Sequence, residues 1–99
     1  MMTKELAEKV NVYLLSQLDS LLEDCDESWK YEYDCEAGQM NLARVDGYLS
    51  ALVDAGLITE SKCDLINEAF EALQEEACYH RPYDNQKETL IDLVESLED

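Results

Sequence analysis

Leu6, Val10, Tyr13, Leu14, Leu18, Leu21 and Cys25 recur at three- and four-residue steps, and Leu15 and Leu22 widen the stripe they form. This is the period of an α-helix buried along one face. Thr3 is a suitable N-cap, so the pattern predicts a first helix from Thr3 to about Asp24 or Cys25. Trp29 and Tyr33 both fall close to the stripe and would extend the helix. Tyr31 and Tyr33 also alternate with charged neighbours, which fits a short extended segment equally well. Glu5, Glu8, Asp19, Glu23, Asp26 and Glu27 gather on the polar side, with Asp24 placed near the apolar edge.

After a break near Gly38, a second helix is predicted over roughly Gln39 to Ala55, with Leu42, Val45, Tyr48, Leu49, Leu52 and Val53 on its buried face. Gly56 sits where a left-handed cap belongs, and Leu57 follows as its usual hydrophobic contact. Thr59 caps a third helix that runs to about Tyr79, so this passage reads as a helix–helix hairpin. Pro82 ends the third helical region. Asn85, with Glu88 three residues on, forms a capping box for a last helix whose inner face is Leu90, Ile91, Val94 and Leu97. Three glycines, a single proline and short connections predict an all-α fold, a compact bundle of three to four helices forming one domain over residues 1–99.

The third helix carries an unusual polar face. Asp64, Glu68, Glu71 and Glu75 are spaced four, three and four residues apart, which puts all four carboxylates on one side. Ile66, Ala69, Phe70, Leu73 and Ala77 fall on the opposite side. Like charges at these spacings repel, and a helix needing only solubility would set Lys or Arg four residues after Glu. Glu88, Asp92, Glu95 and Asp99 repeat the spacing on the last helix, and Asp19 to Glu36 holds eight acids with Lys30 as the one base. The plain alternative is a set of solvated outer faces, which is what charge runs usually are.

Composition strengthens the electrostatic reading. The chain has 24 acids against 7 basic residues, a formal charge of −17, yet 46% of its 99 residues are hydrophobic, enough for a modest core. Such a field disfavours direct contact with nucleic acid or an anionic membrane, both of which require a basic face, and favours basic proteins as partners. No apolar run approaches the ~18 residues of a membrane span. The start leads straight into the amphipathic stretch, with no basic region and apolar run of a secretion signal, so a cytoplasmic protein with reduced thiols is expected.

Candidate chemistry is sparse. Cys25, Cys35, Cys63 and Cys78 with His80 could supply zinc ligands, but no close Cys-x-x-Cys or His-x-x-x-His pair occurs, and buried thiols acting as small hydrophobes are the better expectation. His80 beside Arg81 at a helix end suits the helix dipole. Nucleophile motifs, glycine-rich phosphate loops and calcium loops are all missing, so no enzyme activity, cofactor or metal is expected. Trp29 and Tyr31, inside the acidic stretch, are of the residue types that anchor interfaces and that arginine stacks on, although capping of the core is the favoured reading for Trp29 and Tyr33.

In size, charge, helical make-up and lack of catalytic signature, the chain resembles the small acidic inhibitors encoded by phages and mobile elements, including anti-CRISPR and anti-restriction proteins, several of which mimic nucleic acid. The resemblance is at class level, spans the chain and rests on the acidic rows. It implies an inhibitor that occupies a basic, nucleic-acid-binding cleft of a partner enzyme or complex. The partner-facing residues expected are Asp64, Glu68, Glu71 and Glu75, with Glu23, Asp26, Glu27, Trp29 and Tyr31 as a second patch. A second resemblance is to bacterial nuclease immunity proteins, whose Tyr-Tyr-Pro stretch has only a loose echo in Tyr79-His80-Arg81-Pro82-Tyr83. The remaining alternative is a small structural or regulatory helical module that associates, with itself or a helical partner, through apolar surface.

Overall fold

The computed structural model describes residues 2–28, 38–79 and 81–97, apart from the side chains of residues 26–28. Among the described residues there are four α-helices and no strand: α1 (Lys4–Ser28), α2 (Gln39–Asp54), α3 (Glu60–Cys78) and α4 (Asp84–Glu95). The all-α bundle expected from periodicity is the fold observed.

α1 begins where its cap places it: the Thr3 hydroxyl accepts from the Leu6 N–H at 3.1 Å. It runs on to Ser28, past the Asp24 or Cys25 end read from the core stripe, because α-helical hydrogen bonding does not stop where burial stops. Its buried line is Ala7, Val10, Leu14, Leu18, Leu21 and Cys25. Leu6, Tyr13, Leu15 and Leu22 flank that line half-buried.

The α2–α3 hairpin follows its local signals. Gly56, at φ 74°, takes the left-handed position, its N–H donating to Val53 O at 2.9 Å, while the Leu57 N–H donates to Leu52 O at 2.9 Å. This pair of bonds is the Schellman arrangement, and it satisfies carbonyls that the end of α2 leaves open. Three residues on, the Thr59 hydroxyl accepts from the Lys62 N–H at 3.1 Å and starts α3.

The start of α4 differs from the capping box expected at Asn85 and Glu88. The helix begins at Asp84, with Tyr83 as the flanking residue and no side-chain cap, and the Lys87 N–H already bonds Tyr83 O at 2.9 Å. Pro82 has no N–H to carry α3 onward, and the half-buried Tyr83 ring docks against the core, which sets the helix start two residues early. Asn85 and Glu88 are both exposed.

One apolar core receives side chains from every helix, among them Leu14, Leu18, Leu49, Ile66, Phe70, Leu73, Leu90 and Val94, all 2% exposed or less. Burying each such side chain is worth about 1.5–3 kcal/mol. α1 and α3 touch each other and both remaining helices, whereas α2 and α4 make no contact with one another among the described residues. α2 and α4 therefore cover separate sides of the α1–α3 pair, and that arrangement decides which charged faces meet. Among the described residues, no helix is long and apolar enough to cross a membrane.

Candidate partner-binding surface

α3 divides as its sequence predicts. Ile66, Phe70, Leu73 and Ala77 are buried and Ala69 half-buried, while Asp64, Glu68, Glu71 and Glu75 are all exposed. Cys63, Gln74 and Cys78 complete the buried face.

The neighbours of the row come from α2. The Asn67 side-chain amide donates to Asp46 Oδ1 at 3.0 Å, tying the two helices together beside the row. Two adjoining hollows of about 280 and 370 Å³ follow the α2–α3 seam, sharing Gln39, Leu42 and Glu71. Asp46 and Asn67 line the first, and Glu75 and Tyr79 the second, with no basic residue in either wall among the described residues. The Cys63 thiol, buried at the same seam, is pushed above its ordinary value by burial first, then by Asp64, Asp46 and Glu60. Carboxylates from both helices therefore act on one point, and Asp46 extends the negative surface from α3 onto α2.

Cations near this face are engaged elsewhere. Arg81 grips Glu76 through two hydrogen bonds of 3.0 Å and lies 4.7 Å over the Tyr79 ring. The Glu76 hydrogen bond, with the charges of Glu76 and then Glu75 behind it, raises the Arg81 guanidinium further above its ordinary value. Lys62 reaches across to α4, donating to Ser96 O at 2.7 Å. Among the described residues, the ion pairs are Glu5 with Lys9 and Glu76 with Arg81, so no carboxylate of the row is paired. Arg81 nevertheless stands near enough to Glu75 for their charges to interact, so the row is without an ion pair but has a cation close to its Glu75 end.

The recurring row on α4 takes a different place. Glu88, Asp92 and Glu95 are exposed, and Glu95 borders α1 rather than α3, sharing a groove with Glu8. Glu95 of the α4 row thus edges a different groove from the one beside Glu71 and Glu75. Of the second patch, Glu23 is exposed on α1. Asp26 and Glu27 lie in the last turn of α1 with side chains outside the described set, and Trp29 and Tyr31 lie outside the described residues, as do Cys35, His80 and Asp99. The C-terminal end of α1 does meet α3 and the start of α2. A Cβ placed on Gly38 would lie 3.1 Å from Leu21, 3.4 Å from Gln74 and 3.6 Å from Cys25.

Sequence reasoning missed Asp46, Asn67 and Tyr79 as members of this surface. Asp46 and Asn67 carry no pattern of their own and gain meaning only when α2 packs on α3. Tyr79 is half-exposed at the end of the row, four residues after Glu75, and that spacing was the available signal. Cys25, Cys63 and Cys78 are buried and not in disulfides. Among the described residues, no three His, Cys, Asp or Glu side chains gather as a metal would require. Compared with known proteins, the chain matches no family model, no curated protein and no solved structure.

Proposed function

We propose that the protein is an acidic inhibitor that lays the α3 face, extended by Asp46 of α2, into a basic cleft that its partner uses for nucleic acid. The observation that carries this reading is the exposed and unpaired state of Asp64, Glu68, Glu71 and Glu75, with no basic residue lining the adjoining seam among the described residues. A turn of helix advances carboxylates by about 6 Å, the same order as the ~3.4 Å axial step between phosphates on one DNA strand. Long-range attraction would speed encounter, and the half-exposed Tyr79 would add aromatic contact area that slows release. The class-level likeness to anti-CRISPR and anti-restriction inhibitors points the same way.

The test is affinity capture from host lysate at low and high salt, followed by mass spectrometry and competition with duplex DNA. The parent protein is expected to retain a basic nucleic-acid-binding protein at low salt and to release it to DNA. A variant with Asp64→Asn, Glu68→Gln, Glu71→Gln and Glu75→Gln is expected to fold with equal or greater stability, because like-charge repulsion is removed. It should nevertheless lose capture and show a flatter salt dependence. Full retention by this variant at both salt concentrations sinks the proposal.

The apolar-module reading has its own support in Val12, Met40 and Leu65, which are 68%, 70% and 50% exposed. It predicts capture that survives high salt and depends on those side chains.

A further inference from the structure

On the α4 side of the molecule, away from the α2–α3 seam, α1 and α4 enclose a groove of about 530 Å³. Ala7, Val94 and Leu97 form an apolar floor, each under 5% exposed, and Val12 stands on the wall with 68% of its surface exposed. Glu8 lines the α1 side and Glu95 the α4 side. Neither carboxylate is in an ion pair among the described residues, although Lys4 lies one turn before Glu8 in the same groove. Glu95 also sits in the last turn of α4, a turn with no basic residue of its own, while Lys62 of α3 serves the helix end by donating to Ser96 O. An apolar trough with carboxylates on both sides has a defined complement. That complement is a helix whose apolar residues share one face and whose flanks carry Lys or Arg. A second copy of this chain is the wrong occupant, since each copy carries −17 and would bring further carboxylates to Glu8 and Glu95.

We propose that the α1–α4 groove is a docking site for a basic amphipathic helix of a partner protein. The site is separate from the α3 face, so each proposal can fail alone. Val12 enters the occupant's apolar face, and Glu8 and Glu95 pair with cations on its two flanks. The floor is already formed by buried side chains, so docking requires ordering of the incoming segment and little change in the bundle.

The probe is a synthetic Leu/Lys peptide of about fifteen residues, with leucines on one helical face. Its control has the same lysines, with serine in place of leucine. Titration calorimetry gives the affinity, and backbone amide NMR shifts give the location. The Leu/Lys peptide is expected to bind about tenfold more tightly than its serine control, with shifts along the first half of α1 and the end of α4. Val12→Gln, at an exposed position that leaves the core untouched, is expected to weaken binding about tenfold. Glu8→Gln with Glu95→Gln should weaken it several-fold and flatten its salt dependence. The four-residue α3 variant should bind the peptide as the parent does. Unchanged affinity in both the Val12 and the Glu8/Glu95 variants, or shifts confined to α2 and α3, overturns the proposal and leaves the α3 reading standing. A parent dimer in sedimentation that Val12→Gln dissociates overturns it in favour of self-association.

Discussion

Gly38 and Gly56 both hold left-handed backbone, at φ 83° and 74°, yet their surroundings differ. A Cβ at Gly56 would meet nothing within 4 Å, whereas at Gly38 it would lie 3.1 Å from Leu21 Cγ, 3.4 Å from Gln74 Cγ and 3.6 Å from Cys25 Sγ. Leu21, the nearest of the three, and Cys25 are fully buried and have no open space to retreat into, whereas Gln74 borders the seam hollow and can shift. Gly56→Ala then carries only the left-handed penalty of about 1–2 kcal/mol, partly offset by the lower entropy of the unfolded alanine chain, for a net loss near 1 kcal/mol. Gly38→Ala carries the same penalty plus overpacking of about 1–3 kcal/mol, for a total of about 2–4 kcal/mol. Thermal unfolding followed by circular dichroism at 222 nm reads this difference. Domains of this size lose about 4–8 °C per kcal/mol, so Gly56→Ala should melt about 4–8 °C lower and Gly38→Ala about 8–32 °C lower. Equal losses in the two variants would show that α1, the start of α2 and α3 do not converge on Gly38, and would falsify the packing described at that end of the bundle.

Asn41 is 1% exposed, its Nδ2 donates to Gln17 Oε1 at 3.3 Å, and its Oδ1 accepts nothing among the described residues. Asn41→Leu keeps the branched shape and removes a buried unsatisfied carbonyl, while the half-buried Gln17 can turn to water. Urea denaturation is expected to show a gain of about 1–2 kcal/mol, and a loss would mean that the carbonyl is satisfied in solution. The raised Cys63 thiol is linked to stability at alkaline pH. A proton held more tightly by the folded chain contributes stability that is complete below the unfolded thiol value of about 8.5 and is lost as pH rises through the folded value. Urea midpoints should therefore fall as pH rises above about 8.5, and Cys63→Ala should start lower at neutral pH but decline less steeply. Tyr48, raised by burial and then by Tyr13, adds its own loss only above its ordinary 10.0. Matching alkaline slopes in parent and variant would remove Cys63 from the account.

Where a boundary was written in adjacent residues, it could be read in advance. The Gly56–Leu57–Thr59 passage encodes its turn through a left-handed glycine, a hydrophobic contact and a hydroxyl cap, all within reach of one another along the chain. The start of α4 could not be read this way. Asn85 and Glu88 have the right spacing for a capping box, but docking of Tyr83 against the core sets the start, and nothing local announces that docking. Asn41 shows the same limit within α2. It lies among apolar positions as a polar interruption, and its Gln17 partner, 24 residues away, becomes its neighbour only when α1 and α2 pack.

The candidate surface divides along the same line. Which carboxylates face water was determined by sequence alone, because the 3.6-residue period places Asp64, Glu68, Glu71 and Glu75 opposite Ile66, Phe70, Leu73 and Ala77 whatever the helix packs against. Which charges stand beside them was decided by tertiary structure. α2 brings Asp46 to the α3 row, while α1 shares its groove with Glu95 of α4. Periodicity fixes directions around one helix axis. The adjacency of faces depends on how buried side chains from different helices fill a common core, and that is a property of the folded whole.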